Sequence, residues 1–312
     1  MLTCLVFEFV AVLLICVSFT REFAVTMKNN CIVPFFLLLK VQASKGSTIK
    51  PTTEPKIDES ISSMGPKCKK LRDLLSLMDS ETKIFDVVLP SKVFFFETDK
   101  TIFLMEEDIS QLLRMAFLNV SCIQLFMMYL QQHCEEQNEG LSSIAFLCPT
   151  IVSQIGDDTA RNDQVMKYVE SSLLKMKDVG VVLVPFCQAM HWTLIILCPL
   201  TQEAYFCDPM SKRRDVTFKY LLQGAFRGFK ARAGYTLKGG MSLKWSNLIC
   251  HQQTGSTECG YYVMRYMLDI VRHYHRNIND YKKWFGSHEA YRVEDVNEVR
   301  DLWASYFMKN HL

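Results

Sequence analysis

Three short apolar runs, set between segments of helical periodicity, constrain the fold of this chain more than any other feature. The runs are Val181–Phe186, Thr193–Cys198 and Ala204–Cys207, each bounded by Gly, Pro or polar residues. Short continuous runs of this kind are typical of strands buried in a sheet. Helical spacing dominates elsewhere, over Glu106–Met115, Val120–Gln132, Asp163–Met176 and Phe218–Phe229. The pattern therefore predicts an α+β domain with a small central sheet flanked by helices.

Two further helices are predicted near the C-terminus, because apolar residues recur there with a period close to 3.6. The first begins at Cys259 and is expected to bury Val263, Tyr266, Met267, Ile270 and Val271. The second is expected to bury Val296, Val299, Trp303, Tyr306 and Phe307.

Composition limits the classes of function. With 312 residues, 49% of them hydrophobic, the chain has enough apolar material for the core of one large domain or two small ones. The formal net charge of +2 gives no general reason to expect nucleic acid as a partner. Recognition of a partner is therefore expected to depend on a local site.

The cysteines argue for a reduced protein. Twelve of them are scattered at irregular spacings and no CxxC pair occurs, so we expect mostly buried free thiols rather than a disulfide framework. The densest Cys/His group, Cys250-His251 with Cys259, lacks the paired spacing that closes a tetrahedral zinc site. We expect neither a metal nor a cofactor.

Residues 1–41 form an apolar N-terminal segment. Its two longest apolar runs, Phe9–Phe19 and Ile32–Leu39, are shorter than the roughly 20 residues that a membrane-spanning helix needs. Glu8 and the lack of Lys or Arg before the first run make a poor match to a signal peptide. The segment is interpreted as a signal or anchor, as an apolar tail packed on the domain, or as a dispensable start.

Residues 42–65 are predicted to be a linker. Their composition shifts to Ser, Thr, Pro, Lys and Glu, and Pro51, Pro55 and Pro66 are expected to prevent regular structure. The functional domain is predicted to cover residues 66–312.

Cys259 is the candidate nucleophile. It lies between a polar turn that contains Gly255 and the apolar run of a predicted helix. Unpaired backbone N–H groups and the positive end of the helix dipole favour a thiolate at that position. Gly255 and Gly260 would let a substrate chain approach the backbone closely. The alternative is a buried, inert cysteine, which is the commoner state of this residue.

His191 and Asp208 are the candidate base and its partner. His191 opens one predicted strand beside Trp192, and Asp208 ends the next strand before Pro209. In an antiparallel hairpin, the carboxylate would reach the imidazole and fix its tautomer. Taken singly, the two residues also fit a surface histidine and an ordinary turn residue. Gln253, six residues before the cysteine, is a candidate oxyanion donor or an ordinary surface side chain.

In this order, the residues resemble the Ulp/sentrin-specific (SUMO) cysteine protease family, peptidase C48-like, and particularly its plant transposon-associated branch. The resemblance rests on His191-Trp192, Asp208-Pro209 and the Gln-x5-Cys-Gly string from Gln253 to Gly260. It implies a papain-like, Ulp-type α+β fold, with a small central mixed sheet flanked by helices.

The resemblance also implies roles and a reaction. Cys259 would be the nucleophile, His191 the base, Asp208 the orienting acid and Gln253 the oxyanion donor. The expected activity is cleavage after the C-terminal Gly-Gly of a SUMO-like modifier, in deconjugation or precursor processing, through a thioester. The implied partners are SUMO-like or other ubiquitin-like modifiers and their conjugates.

Two positions depart from the family pattern. Glu258 precedes the nucleophile where the family usually has Asp, and Phe117-Leu118-Asn119-Val120 stands for the family's Trp-Leu-x-Asp. Phe117 and Trp192 would then be the aromatic walls of a slot for the Gly-Gly tail, with Gly260 beside it.

Alternative interpretations stay open at this point. The chain could be a catalytically weak or inactive transposon-derived relative that binds a ubiquitin-like modifier, or a secreted thiol hydrolase whose first apolar run is removed. We expect a monomer in the nucleus or cytoplasm, or a membrane-associated protein held through residues 9–39.

Overall fold

The computed structural model describes residues 64–78, 83–136, 144–156, 158–176, 178–211, 217–233, 240–273 and 285–312. All of them belong to one compact unit, Pro55–Leu312. The predictions for residues 1–41, and for nearly all of the 42–65 linker, lie outside this set. Within it, no helix has the length and apolar character needed to cross a membrane.

The described helices, in chain order, are α1 (Pro66–Ser76), α2 (Ser91–Phe94), α3 (Glu106–Leu113), α4 (Val120–Glu136), α5 (Pro149–Val152), α6 (Thr159–Lys175), α7 (Thr217–Arg232), α8 (Cys259–Arg272) and α9 (Val293–Asn310). The strands are β1 (Ile84–Leu89), β2 (Lys100–Met105), β3 (Ile144–Phe146), β4 (Val181–Gln188), β5 (His191–Cys198), β6 (Glu203–Cys207) and β7 (Lys244–Asn247).

The central sheet has five strands in the order β3-β4-β5-β6-β7. Its inner pairs, β4 with β5 and β5 with β6, are antiparallel, whereas β3 and β7 add to the two edges in parallel. The predicted α+β fold with a small mixed sheet is therefore confirmed, and the three predicted strands are its centre. The short edge strands and the separate β1–β2 hairpin were not predicted.

Strand β5 is buried along its whole length because both faces of the sheet are covered. Alternate side chains of a strand point to opposite faces. Leu194 and Ile196 accordingly join the core formed with α4, α8 and α9. Ile195 and Leu197 join a second core formed with α6 and α7. A continuous apolar run, rather than an alternating one, is what this two-sided burial requires.

The two C-terminal helices follow their predicted patterns closely. All five apolar residues predicted for α8 are buried. In α9, Val296, Val299, Trp303 and Phe307 are buried, but Tyr306 is only half-buried and meets the Tyr129 ring edge-on. Helix α8 packs against both α9 and β5, so its N-terminal residue is held against the centre of the sheet.

The interpretation of Pro66 as a barrier to regular structure was wrong. Pro66 is the first residue of α1, a position where the missing N–H is no loss and the fixed φ suits a helix. Helix α1 packs against α9, and the backbone N–H of Cys68 donates to Asp301 Oδ1 at 2.9 Å. The described domain therefore includes ordered structure from the first residue predicted for it.

Candidate active site

A tight turn between β4 and β5 places His191 at the start of its strand. Gln188 pairs with His191 across the hairpin, and the two turn residues, Ala189 and Met190, have φ values of 47° and 60°. Positive φ at both central residues is typical of the turns whose twist matches a β-hairpin. Neither residue is glycine, so the backbone is strained here, and the strain lies immediately before the candidate base.

His191 and Asp208 form a buried pair. Strand β6 ends at Cys207, so Asp208 is the first residue beyond the ladder. His191 Nε2 donates to Asp208 Oδ1 over 2.7 Å, and both side chains are 6% exposed. The same Oδ1 accepts the backbone N–H of Met210 at 2.9 Å. Because a carboxylate only accepts, the proton of this bond lies on Nε2 and the acid selects the tautomer.

Cys259 is the first residue of α8 and is 1% exposed. Glu258 precedes it as the N-cap residue but makes no side-chain capping hydrogen bond. The four residues before Glu258, from Thr254 to Thr257, are exposed. The thiol therefore lies at the positive end of a helix dipole, behind an exposed turn, which is the environment that favours a thiolate.

Gln253 lies next to the acid segment but uses its amide donor locally. Its backbone N–H donates to Pro209 O at 2.8 Å, and its Nε2 donates to Gly255 O at 2.9 Å. Its Oε1 is buried and has no hydrogen-bond partner among the described residues. The oxyanion role of Gln253 stays a prediction. To donate to an oxyanion, the amide would have to use its second N–H, or the side chain would have to rotate.

Trp192, one predicted wall of the aromatic slot, is buried and bonded to the chain near Phe117, the other predicted wall. Trp192 is 1% exposed and donates from Nε1 to Leu118 O at 2.9 Å. A Cβ placed on Gly260 would lie 3.0 Å from Leu118 Cβ, so the glycine allows this segment to pass close to α8. Phe117 is half-buried at the margin of the same core. Contact between the buried Trp192 ring and a substrate would require a local rearrangement, and the slot stays a prediction.

The same segment is fastened to the start of α8 by hydrogen bonds. Thr257 Oγ1 donates to Met115 O at 3.1 Å. The Tyr261 hydroxyl donates to Ala116 O at 3.0 Å. These contacts join residues far apart in the sequence and leave no local sequence pattern. The sequence analysis therefore did not identify Thr257 and Tyr261 as residues that hold this segment in place.

Other thiols lie near the site. Burial raises the pKa of Cys187 to about 12, and Cys259 is close enough to add to that shift. A hydrogen bond with Cys207 lowers the pKa of Cys250, although burial opposes this. Cys250 Sγ also donates to Asp208 O at 3.5 Å. In the part of the chain that the structure describes, no group of three or more His, Cys, Asp or Glu side chains is arranged to hold a metal ion.

The arrangement is the one expected of a cysteine peptidase: Cys259 begins a helix, that helix packs against β5, and the first residue of β5 is a histidine bonded to a buried carboxylate. The model of the Ulp1 protease family, C-terminal catalytic domain, matches residues 116–304. The chain belongs to this family and is a cysteine peptidase.

One solved structure supports the fold, and two others are similar to parts of the chain. The SUMO protease Ulp1 with its catalytic cysteine oxidized to a sulfenic acid has a TM-score of 0.50 at 14% identity, over 84% of this chain and 97% of that one. The yeast Ulp1 protease domain in complex with Smt3, the yeast ortholog of SUMO, has a TM-score of 0.49 at 14% identity, over 78% and 93%. Xanthomonas campestris XopD bound to ubiquitin has a TM-score of 0.40 at 18% identity, over 61% and 91%. None of the curated proteins compared with the chain matches it significantly.

Proposed function

We propose that this peptidase cleaves after the C-terminal Gly-Gly of a SUMO-like modifier, in deconjugation or precursor processing. The observation that carries the proposal is the buried His191–Asp208 pair, 2.7 Å between Nε2 and Oδ1; His191 begins β5, the strand against which the Cys259 helix packs. Membership of the Ulp1 protease family and the likeness to a SUMO protease favour a modifier of this class.

The proposed reaction is acyl transfer to a thiol. His191 takes the Cys259 proton, and the thiolate attacks the carbonyl carbon of the terminal glycine. Negative charge develops on the carbonyl oxygen, where the Gln253 amide is the proposed donor. As the C–N bond breaks, His191 returns the proton to the leaving amine. Water, deprotonated by His191, then cleaves the thioester and restores the thiol.

In this proposal, Asp208 holds His191 in one tautomer and stabilises its protonated form during the reaction. With Nε2–H bound to the carboxylate, the other ring nitrogen, Nδ1, is left to exchange the proton with the thiol. The buried negative charge also stabilises the imidazolium that forms when His191 accepts that proton. An acid that is itself held by a backbone N–H, from Met210, is well suited to both tasks.

The proposed substrate contacts explain the choice of a tail without side chains. Trp192 and Phe117 would be the aromatic walls of a narrow slot, and Gly260 leaves room beside the thiol. Because Trp192 is buried and bonded to Leu118 O, contact of the tail with the Trp192 ring is expected to need a local rearrangement. The plant transposon-associated branch, a monomeric state and a nuclear or cytoplasmic location stay predictions.

Covalent capture tests the proposal. The full chain, Cys259→Ser and Cys250→Ser are incubated with SUMO and with ubiquitin that carry a C-terminal vinyl sulfone, and adducts are measured by intact mass. One adduct on wild type and Cys250→Ser, and none on Cys259→Ser, is the expected result. Absence of any adduct on a folded wild-type protein would contradict the proposal. Binding of unmodified SUMO without adduct formation would then favour the inactive binding module.

A further inference from the structure

The backbone of Asp208 is held by more donors than a turn residue needs. Its carbonyl oxygen accepts hydrogen bonds from Gln252 Nε2 at 3.0 Å, from Cys250 Sγ at 3.5 Å and from the Ser211 N–H at 3.2 Å. Asp208 lies just beyond the end of β6, so the sheet ladder does not fix it. Other contacts have to determine where its carboxylate points.

The Gln252 side chain supplies a hydrogen bond at Asp208, where the sheet ladder makes none. After β7 ends, the chain continues alongside the Asp208 segment. The Leu248 N–H donates to Phe206 O at 2.9 Å, and the Gln253 N–H donates to Pro209 O at 2.8 Å. Asp208 lies between these two bonds. At Asp208, the two segments are joined by the side-chain amide of Gln252 instead of a backbone N–H.

One nitrogen atom serves both segments. Gln252 Nε2 donates to Asp208 O at 3.0 Å and to Cys250 O at 2.9 Å. The amide has two hydrogens, so each carbonyl can have its own donor. The side chain therefore joins the acid segment to the segment after β7, which leads into the Gln253 turn and the thiol.

We propose that Gln252 is a positioning residue for the reaction: its amide holds Asp208 at the distance at which the carboxylate orients His191. The inference rests on the proposed function and goes beyond it, because Gln252 touches neither the thiol nor the histidine in any hydrogen bond described. A misplacement of about 1 Å in a catalytic group can cost about 100-fold in rate. Loss of the amide is therefore expected to lower turnover without changing the fit of the modifier.

Gln223 offers a matched control. Its Nε2 donates to Met241 O at 3.1 Å, and its Oε1 accepts the Leu243 N–H at 2.8 Å. It is thus a second glutamine whose amide joins two segments, here α7 and the chain before β7. Its neighbours Leu222 and Leu243 belong to the second core, which does not include α8 or the proposed catalytic residues.

The experiment compares Gln252→Met with Gln223→Met, each in the full chain. Methionine keeps the length of the side chain and removes its hydrogen bonds. The rates measured are turnover of a SUMO C-terminal aminomethylcoumarin amide and alkylation of Cys259 by iodoacetamide. The melting temperature is followed for every variant. We expect Gln252→Met to lower kcat by about 10- to 100-fold with KM within about twofold of wild type. Gln223→Met should leave kcat unchanged while lowering the melting temperature similarly.

A double-mutant cycle with Asp208→Asn separates positioning from general stability. If Gln252 acts through Asp208, adding Gln252→Met to Asp208→Asn should lower kcat by less than about twofold further. A full additional loss in the double variant would overturn the inference. So would a kcat of Gln252→Met equal to that of Gln223→Met.

The alkylation rate separates failure of this inference from failure of the proposed function. If wild type does not turn over the SUMO amide, the proposed function fails for that modifier. The rate of Cys259 alkylation then tests whether Gln252 is a positioning residue. Slowing by both Asp208→Asn and Gln252→Met would support the positioning role, and slowing by Asp208→Asn alone would overturn it.

Discussion

The two sides of the candidate site are built differently. On the sheet side, His191 and Asp208 are buried, bonded to each other and further held by the Met210 N–H. On the turn side, which runs from Gln253 to Glu258, two side-chain oxygens are buried without a hydrogen-bond partner among the described residues. They are Gln253 Oε1 and Glu258 Oε2.

The difference shows where this domain is preorganised and where it gives up stability. A buried polar atom that lacks a partner costs about 1–3 kcal/mol, whereas a satisfied pair contributes modestly to stability. The sheet side therefore orients its groups before substrate arrives. The turn side keeps acceptors that a donor from a substrate or a rearranged turn could satisfy. Substitutions should then change activity and stability together on the sheet side, but separately on the turn side.

The largest effect is expected for Asp208→Ala. The change removes the acceptor of both His191 and Met210, so kcat should fall by about 10³- to 10⁴-fold. The free energy of unfolding should fall as well, by about 1–3 kcal/mol, because buried donors lose their partner. Turnover of a SUMO aminomethylcoumarin amide and urea denaturation measure the two quantities. Asp86, an exposed carboxylate on β1, provides the control in Asp86→Ala. Unchanged stability in Asp208→Ala would remove the distinction between the two sides.

A smaller loss of activity, without a loss of stability, is expected for Gln253→Ala. An oxyanion donor contributes about 10²- to 10³-fold to kcat. The change removes an unpaired buried oxygen, which favours folding, and the Nε2 bond to Gly255 O, which opposes it, so the free energy of unfolding should stay within about 1 kcal/mol of wild type. Gln253→Glu, which keeps the shape but has no donor, should lose kcat to the same degree. Full activity of Gln253→Ala would show that the turn side supplies no oxyanion donor through this residue.

Gly260→Ala should affect both sides moderately, since it acts where they meet. The new Cβ would lie 3.0 Å from Leu118 Cβ and Cδ1, and Leu118 O accepts the Trp192 N–H. Overpacking of this kind costs about 1–3 kcal/mol of stability. Turnover should fall together with the melting temperature. Leu118→Ala removes Cγ and Cδ1 of this contact, so the double variant should lose less than the sum of the two single changes, and a purely additive loss would argue against this contact as the cause.

The smallest effect is a gain, expected for Glu258→Ser. The change removes a buried, unpaired carboxylate oxygen. It also removes a negative charge that the helix dipole favours, by about 0.3–1 kcal/mol. The desolvation cost is larger, about 1–3 kcal/mol, so we expect a net gain in the free energy of unfolding. Urea denaturation checks this; a loss of stability would show that the dipole outweighs the unpaired oxygen.

Features that depend on near neighbours in the chain were predicted well. The strands β4 to β6, the helices α3, α4 and α6 to α9, and the position of Cys259 at a helix start follow from apolar periodicity and from glycine-containing turns. The order of strands also suffices to expect His191 close to Asp208, because an antiparallel hairpin brings the start of one strand to the end of the next.

Only the tertiary structure decided the rest, since it depends on residues far apart in sequence. Strand β7, polar and short, becomes a strand because β6 offers it a ladder. Pro66 starts a helix because α9 covers that helix. The Gln252 amide reaches the Asp208 carbonyl, which lies 44 residues earlier in the chain. Local periodicity contains no information on such pairings: each is set by the packing of segments that the chain itself keeps dozens of residues apart.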